Sequence, residues 1–560
     1  MKFLNRLVLW LPILMLAVGI SEAGGTVHVV MLAHRISNAG EVEAASVNLH
    51  CILPDSNKYH DLIDMKIDPE PSQLQIDGEG QKAIKVSYES IAPGQLRTVR
   101  VLLWVKLKTA RVRVTAKPDD VEPLLQIQRE GHLADGRWLQ LDKVRPIAQK
   151  AAAGKTRDID QARALYNYMA KYCRYNIDET TIAADAVLAG EPASCSELAI
   201  TYMAMCRSLG IPARLVTAYV NRGGKSPSID WQSHRWAEFF AEGIGWVPVD
   251  PTNRMNYPKK KFFAQQQDKY LTVVDDGVPL IVGPDPAWMI MGFTTETKDA
   301  KLEMGRSAVW QVSLRRQGEA EFFEEACGQL KHADAAVRLE AIEDWQRERR
   351  PLRLGFLLEA LFDVDANVRK TAAGAIGEFK DVSVILPLLR FAEDEKDAGV
   401  KLAILNVVRQ RFADEDAERR IEAIVEVAKS RTDEALDLLD DTWEDPELEV
   451  RKKVALVLYK FGDKDAVHKG YRRLVDDPDE TVRVFAALRW ARTGSKEALT
   501  EVVGCLQSPV RWDREKALAE LVKHTRDDFG YNPRLTVNNP KNVEAVRKFD
   551  DWIEMKKDKK

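Results

Sequence analysis

A cysteine lies where an apolar helix is predicted to begin, in the stretch GEPASCSELAITYMAMCRSLGIPARL (residues 190–215). Ser194 and Glu197 form the S-x-x-E pattern of a capping box, which makes Ser194 the N-cap and Cys195 the first helical residue. The unpaired N–H groups and partial positive charge of a helix N-terminus favour a thiolate and could hold an oxyanion. The pattern therefore predicts an activated nucleophile, although cysteine is also common as a buried structural residue.

A nucleophilic thiol needs a base, and His234 is the only histidine between residues 133 and 331. Its segment SHRWAEFF alternates like a strand, with His234, Trp236 and Glu238 on one face. We expect GWVPVD to pair with it through a turn centred near Glu242, so that opposite residues sum to 484 and His234 faces Asp250. A carboxylate there fixes the tautomer of the imidazole and stabilises its charged form. A lone histidine on a strand is otherwise more often structural.

The elements that position these residues belong to the segment 118–295, where helical and strand patterns mix. RDIDQARALYNYMAKYCRY (residues 157–175) has apolar residues at helical spacing, and RLVTAYV (residues 214–220) is typical of a strand. The segment is therefore predicted to be an α+β catalytic domain in which the helix starting at Cys195 is a rigid mount for the thiol.

Four strings occur in order between residues 190 and 253: C-S-E-L-A, R-S-L-G-I-P-A-R, H-R-W-A-E-F and G-W-V-P-V-D-P-T-N. Together they resemble the transglutaminase-like core, a branch of the papain-like cysteine enzymes. The resemblance implies that Cys195 is the nucleophile, His234 the base and Asp250 the third member of a triad. The chain departs from the family at Ala193, where many members have a glycine two residues before the cysteine.

Residues 24–117 are predicted to form a β-sandwich domain. The segments TVHVVML, ASVNLHCIL, AIKVSYESI and RTVRVLLWVKL are rich in β-branched residues and are separated by turn formers. This part of the chain offers no catalytic cluster, and it resembles the sandwich that often precedes transglutaminase-like cores.

A repeat of charged helices begins after residue 319. Five helices share an acidic residue, then a valine three positions later followed by Arg or Lys, with apolar residues four and eight positions beyond the valine. The valines are Val337, Val368, Val400, Val450 and Val482, spaced by 31, 32, 50 and 32 residues. Such units resemble HEAT-type repeats and stack into a solenoid, predicted for residues 319–530. The long third interval holds an insertion or a degenerate repeat.

The rest of the C-terminal half is assigned around that solenoid. Residues 296–318 are predicted to be a connecting segment. Residues 531–560 are predicted to be a capping helix, which bears Trp552, and a basic tail.

Charge and cysteine usage exclude several classes of protein. A net charge of −4 gives no bulk attraction to nucleic acid. Six scattered cysteines without a C-x-x-C pattern exclude a dense disulfide framework and disfavour a zinc site, although one bridge, from Cys173 to Cys206, stays open. The sequence requires no cofactor and no metal.

The first residues are typical of an export signal. Lys2 and Arg6 precede an apolar run from Leu7 to Ile20, and Ser21-Glu22-Ala23 offers small residues at a cleavage site. We expect residues 1–23 to be a signal peptide and the protein to be periplasmic or extracellular, with no integral membrane span after cleavage. An uncleaved N-terminal anchor is the alternative.

These patterns together predict an exported cysteine-dependent acyl-transfer enzyme that acts on amide bonds of peptides or proteins through a thioester. Peptide hydrolysis and Gln-Lys transamidation both stay open. Expected partners are a protein or peptide substrate and a protein bound on the repeat arm, without nucleic acid. The alternative is a catalytically silent protein-interaction scaffold built from the same parts.

Overall fold

A computed structural model describes residues 26–76, 80–114, 123–176, 182–221, 227–256, 262–275, 290–312, 316–348, 350–462 and 464–555. The predicted signal peptide (1–23) and the basic residues at 556–560 lie outside these ranges. Within the described ranges, none of the helices has the length and apolar character needed to cross a membrane.

The strands and helices are numbered in chain order. The strands in the described part of the chain are β1 Val27–Asn38, β2 Ala44–Leu53, β3 His60–Asp68, β4 Gln73–Ile76, β5 Lys82–Ile91, β6 Leu96–Leu107, β7 Ala110–Arg111, β8 Ala213–Val220, β9 Ser228–Asp230, β10 His234–Ala241, β11 Gly245–Val249, β12 Gln265–Gln266, β13 Tyr270–Asp275, β14 Met291–Thr294 and β15 Leu302–Val312. The helices there are α1 Gln126–Gly131, α2 Leu141–Ala151, α3 Asp158–Tyr172, α4 Ala184–Leu188, α5 Cys195–Ser208, α6 Pro251–Asn256, α7 Arg316–Leu330, α8 Ala335–Glu348, α9 Arg353–Ala360, α10 Ala366–Ile376, α11 Ile385–Asp394, α12 Ala398–Phe412, α13 Ala417–Ser430, α14 Asp433–Leu439, α15 Leu448–Val457, α16 Asp465–Val475, α17 Glu480–Trp490, α18 Lys496–Cys505, α19 Arg511–Thr525 and α20 Pro540–Met555.

The N-terminal part is a sandwich of two antiparallel sheets. One sheet has the order β3-β6-β1-β15-β9 and the other the order β14-β2-β5-β4. Apolar side chains from alternate positions of both sheets fill the space between them, among them Val30, Leu32, Leu49, Val86 and Val101. The central strands β1 and β6 are each buried continuously over eight residues, because side chains from both faces of their sheet pack into hydrophobic clusters.

Three strands of the sandwich come from outside residues 24–117. The strand β15 pairs with β1 along its whole length, from His28 opposite Val312 to Asn38 opposite Leu302, while β9 and β14 are edge strands. The prediction that residues 296–318 only connect two domains is therefore wrong. Pairing between distant segments leaves no local signal, and Glu303 and Arg306 interrupt the apolar pattern of β15.

The central part is an α+β unit in which helices cover one face of the sheet β11-β10-β8-β13. The helix α5 is almost wholly buried between that sheet and α2 to α4. Leu198, Tyr202 and Met205 of this helix belong to the same hydrophobic cluster as Ala237 and Phe239 of β10. Burial on nearly all sides fixes α5, and its first residue projects from the edge of the cluster.

The C-terminal part, α7 to α20, stacks in successive repeats, as predicted for a solenoid. Its first helices pack on the outer face of the sandwich, where Met31 and Trp104 share a cluster with Phe356 of α9. Gly355 permits this approach, since a Cβ there would lie 2.6 Å from the sulfur of Met31. The arm and the sandwich thus share one hydrophobic core.

The long interval in the repeat contains a degenerate unit, α13. Three of the arginines that follow the repeat valines make bidentate contacts with an acid before the next repeat: Arg338 with Asp363, Arg369 with Glu395 and Arg451 with Asp477. Arg420 of α13 makes the same contact with Asp445, although Arg419 stands where the other units have valine. The bidentate contact is retained even where the repeat valine is replaced.

Candidate active site

The N-terminus of α5 has the capping box that the sequence predicts. Ser194 is the N-cap, and its hydroxyl accepts a hydrogen bond from the Ser196 N–H at 3.2 Å. The Glu197 carboxylate in turn accepts from the Ser194 N–H at 2.9 Å and from the Ser194 hydroxyl. The prediction that Cys195 is the first helical residue is confirmed, and its thiol is partly exposed.

The backbone before Cys195 is held by hydrogen bonds to the segment that follows α3. The Ala193 N–H donates to the carbonyl of Arg174 and the Ala193 carbonyl accepts from Asn176, both at 3.0 Å. The backbone N–H groups of Ala193, Ser194 and Ser196 all donate to acceptors. Among the described residues, the Cys195 N–H between them has no acceptor. The geometry suits an incoming carbonyl oxygen at that N–H.

The hairpin of β10 and β11 differs from the predicted register by two residues. Ala237 lies opposite Val249 and Ala241 opposite Gly245, so opposite residues sum to 486 rather than 484. The turn is therefore centred at Gly243, and His234 does not lie directly across from Asp250. A shift of two keeps every side chain on its face, so the two residues become diagonal neighbours.

Diagonal placement still brings the three predicted site residues together. The Nε2 atom of His234 hydrogen-bonds to Oδ2 of Asp250 at 2.8 Å. The other side of the imidazole meets the thiol, because His234 and Cys195 also share a side-chain hydrogen bond. With Nε2 taken by the carboxylate, Nδ1 is the ring nitrogen left for the thiol.

Charges around the imidazole favour a thiolate–imidazolium pair. Burial disfavours the charged imidazole, but the charge and hydrogen bond of Asp250, followed by those of Cys195, raise the pKa of His234 to about 10. Burial likewise opposes ionisation of the thiol, but the hydrogen bond from His234 and the charges of His234 and Arg235 lower the pKa of Cys195. The site is therefore arranged to hold the nucleophile in its reactive form.

Four further residues complete the cluster, and none of them has a role in the sequence-based prediction. Asp250 accepts hydrogen bonds from the backbone of Asn253 at 2.9 Å, from the Asn253 amide at 2.5 Å and from Gln266 at 3.2 Å. The Tyr270 ring stacks on His234 with centroids 5.6 Å apart, and the Tyr270 hydroxyl accepts a hydrogen bond from the Asn253 amide. Arg235 donates to the Ser196 hydroxyl at 2.7 Å, beside the thiol.

Only one of these residues had a local signal. Asn253 lies three positions after Asp250 at the start of α6, a spacing typical of a capped helix start. Gln266 and Tyr270 reach the site from separate strands, so their positions depend on the fold rather than on neighbouring sequence.

The sandwich fixes the hairpin from behind. The Tyr59 hydroxyl bonds to the carboxylate of Glu238 and accepts from the indole N–H of Trp236 at 3.3 Å. Glu238 is fully buried and also forms ion pairs with Lys58 at 2.5 Å and Arg214 at 2.7 Å. Trp236 and Glu238 thus share the predicted face with His234, and the sandwich contributes to positioning the strand that carries it.

Two family models match the chain. The model of the transglutaminase-like superfamily matches residues 145–251, a range that includes Cys195, His234 and Asp250. The model of HEAT repeats matches residues 323–409. The chain therefore carries a transglutaminase-like core followed by HEAT repeats, as the motifs indicated. This match supports the general class of cysteine enzyme.

Similar solved structures have low identity to the chain. A candidate cysteine protease from Cytophaga hutchinsonii is 15% identical, with coverage of 52% of this chain and 92% of that one and a TM-score of 0.36. Human deoxyhypusine hydroxylase is 16% identical, covering 35% and 82%, with a TM-score of 0.20. A HEAT-like repeat protein from Thermococcus onnurineus is 19% identical, covering 39% and 92%, with a TM-score of 0.15. No curated protein matches the chain.

The cysteines carry free thiols throughout. All six lie in described residues and none is bridged, including Cys173 and Cys206. Across the described part of the chain, no group of three His, Cys, Asp or Glu residues is placed to hold a metal ion.

Proposed function

We propose that this protein is an exported cysteine-dependent acyl-transfer enzyme that acts on amide bonds of peptides or proteins. One observation carries the proposal: a partly exposed thiol at a helix N-terminus shares an imidazole with a buried carboxylate. Each partner has the charge that the reaction needs before substrate arrives.

In the proposed reaction the Cys195 thiolate attacks the carbonyl carbon of an amide. The developing oxyanion accepts a hydrogen bond from the Cys195 N–H, which meets no other acceptor among the described residues. The imidazolium of His234 then gives its Nδ1 proton to the leaving amine, the C–N bond breaks, and a thioester forms. Asp250 holds the ring in place and stabilises its charged form, without itself taking the proton.

The thioester is resolved by a second nucleophile. Neutral His234 accepts a proton from water or from a lysine amine as that nucleophile attacks, and the thiolate leaves. Water gives hydrolysis, and an amine gives an isopeptide bond. No metal or cofactor takes part in these steps.

Recruitment of the protein substrate or of a protein partner is the role we assign to the repeat arm. HEAT repeats present long surfaces to other proteins. Burial raises the pKa of both cysteines of the arm, Cys327 and Cys505, to about 12, so chemistry is assigned to the core and recruitment to the arm. Export rests on the pattern of residues 1–23.

Trapping of the thioester tests the proposal. The purified protein is incubated with casein and hydroxylamine or dansylcadaverine, and acyl transfer to the amine is measured beside release of new peptide ends. Wild type should give one or both products, and Cys195→Ala neither. Cys206→Ser is the matched control, because it changes a buried thiol on the same helix.

The two products separate the reaction outcomes. Amine incorporation indicates transamidation, while peptide ends without incorporation indicate hydrolysis. If wild type and Cys195→Ala behave alike with several proteins and the thiol resists alkylating probes, the interaction scaffold is the better reading.

A further inference from the structure

One surface of the arm combines exposed aromatic rings with unpaired cations. It is formed by Tyr459 after α15, Phe485 and Arg489 on α17, Arg492 after α17, and Trp512 and Lys516 on α19, and is called here the aromatic-basic surface. These helices follow one another in the solenoid, and α17 packs against both α15 and α19. The surface therefore spans three consecutive repeats.

Two of the three aromatic rings, those of Tyr459 and Trp512, are exposed, and the half-buried ring of Phe485 lies beside that of Trp512. Trp512 is 47% exposed and Tyr459 is 36% exposed. The rings of Phe485 and Trp512 have centroids 6.3 Å apart and border a depression of about 380 Å³. Exposed tryptophan and tyrosine beside a depression are typical of the anchors of protein interfaces.

Cations lie over these rings. The Arg492 guanidinium is 5.0 Å from the centre of the Tyr459 ring and that of Arg489 is 5.8 Å from it. The Lys516 ammonium is 5.4 Å from the centre of the Trp512 ring. Stacking of this kind spreads the side chains over the surface and leaves their N–H groups free for an anionic partner.

The cations have no carboxylate of their own. Among the described residues none lies within 4.0 Å of Arg489, Arg492 or Lys516, whereas exposed cations elsewhere on the arm are commonly paired. Glu520, the acid that lines the depression, is paired with Lys523. A cluster of positive charge therefore stands out on a chain whose net charge is −4.

We infer that the aromatic-basic surface binds an acidic segment of a protein, in which carboxylates alternate with apolar side chains. Carboxylates match the unpaired cations, and apolar side chains match the rings and the depression between them. The inference rests on the recruiting role proposed for the arm and not on the chemistry of Cys195.

A protein segment fits the surface better than other anions do. Three cations, two at α17 and one on α19, are few for a nucleic acid or a lipid bilayer, whose binding depends on many charges. The exposed rings would be buried best by apolar side chains, which the charged backbone of an anionic polymer does not provide.

Direct binding tests the inference on the full chain. The probe is a fluorescein-labelled peptide of repeated Glu-Glu-Phe units, the protein carries Cys195→Ala so that it cannot turn over, and fluorescence anisotropy gives the Kd. Binding should weaken as ionic strength rises from roughly 0.05 to 0.3 M. The Gln-Gln-Phe peptide should bind at least about tenfold more weakly.

Variants assign the binding to this surface. Arg492→Glu with Lys516→Glu should weaken binding of the acidic peptide by at least about tenfold, and Trp512→Ala should weaken it severalfold. The matched control is Lys370→Glu with Lys541→Glu, which reverses two exposed cations elsewhere on the arm. That control should change the Kd by less than about twofold.

Three outcomes would count against the inference. Equal binding of the Glu and Gln peptides would overturn it, as would equal loss in the two double variants. Capture by phosphatidylglycerol vesicles or duplex DNA without peptide binding would assign the surface to those ligands instead. If a charge reversal lowers the melting temperature, the pair Arg492→Gln and Lys516→Gln replaces it. Because the probe is not a substrate, failure here leaves the proposed acyl transfer untouched.

Discussion

Replacing Asp250 with Asn removes the charge behind His234 while keeping the size of the side chain. Both carboxylate oxygens accept hydrogen bonds, one from the Asn253 backbone and the other from His234, Gln266 and the Asn253 amide. An Asn side chain has one oxygen and one NH₂ group, so in either orientation a donor faces a donor. The variant therefore loses the charge and at least one hydrogen bond.

The expected size follows from the bond to His234. Hydrogen bonds to a charged group contribute roughly 1.5–3 kcal/mol, and each 1.4 kcal/mol is a tenfold change in equilibrium. Loss of the carboxylate should lower the pKa of His234 from about 10 and raise that of Cys195. The thiolate–imidazolium pair should become roughly 10- to 100-fold less populated near pH 6.

Alkylation by iodoacetamide measures this population. In wild type the thiolate forms as pH rises through the lowered pKa of Cys195, and it stays paired until His234 loses its proton near pH 10. In Asp250→Asn the rate profile should move upward by about one to two pH units and meet the wild-type rate in alkaline solution. Rates are read by mass spectrometry of the peptide that contains Cys195.

A matched control separates charge from contact. Asn253→Ala removes a donor to the same carboxylate but leaves the charge, so its profile should move by less than half as much. Superimposed profiles for wild type and Asp250→Asn would refute the reasoning, because they would mean that Asp250 does not act on the thiol through His234.

Three further predictions concern reactivity and stability. At pH 6 iodoacetamide should modify Cys195 far faster than Cys206, whose pKa burial raises, and equal labelling of the folded protein would contradict an activated thiol. Burial opposes ionisation of Glu238, but the charges of Lys58 and Arg214 outweigh it and hold the pKa of Glu238 at about 2. The contribution of these ion pairs to stability is therefore complete above about pH 4.5 and is lost as pH falls toward 2. Because Glu238→Gln leaves two cations without their buried carboxylate, it should cost about 3 kcal/mol in urea unfolding at pH 7 and much less near pH 2, and a constant difference would exclude this cause. Arg420→Ala should lower the stability of the arm by about 3 kcal/mol, because the ion pair of Arg420 with Asp445 is buried. Arg409→Ala, which removes an exposed ion pair, should lower it by less than about 1 kcal/mol. Equal losses of stability would argue against a special contribution of the buried ion pair.

Local chemistry made the start of α5 predictable. A capping box depends on residues three positions apart, so the sequence contains the whole signal for Ser194, Cys195 and Glu197. The same holds for the repeat acids: Asp365 and Asp397 accept hydrogen bonds from the first N–H groups of their helices, as their spacing indicates.

The hairpin shows that the local pattern of residues predicts which face a side chain lies on but does not predict the register of the two strands. Alternation sets the face of His234 and Asp250, and that face is as expected. Register depends on the turn, which has three residues between Ala241 and Gly245 and a left-handed conformation at Gly243, with φ of +69°. The predicted register was therefore wrong by two residues because the turn was placed wrongly, and the contact between the side chains of His234 and Asp250 is nevertheless made.

Long-range pairing lies beyond such patterns. Gln266 reaches Asp250 from β12, which pairs with β7, and Tyr270 reaches His234 from β13, which pairs with β8. The strand β15 follows the core in the chain and pairs with β1 at its start. No periodicity within these segments specifies a partner so distant in the chain.

The way the arm is attached decides where recruitment can be sought. Helices α7 to α9 cover Val29, Met31 and Trp104 of the sandwich, so removing the arm after residue 317 would expose that apolar face. The same sandwich holds the hairpin through Tyr59 and Glu238, so the loss would reach the site even if substrate never touched the arm. The last helices, α17 to α20, have a hydrophobic cluster of their own. Recruitment should therefore be tested by surface substitutions in those last repeats, where a change in binding can be separated from a change in the core.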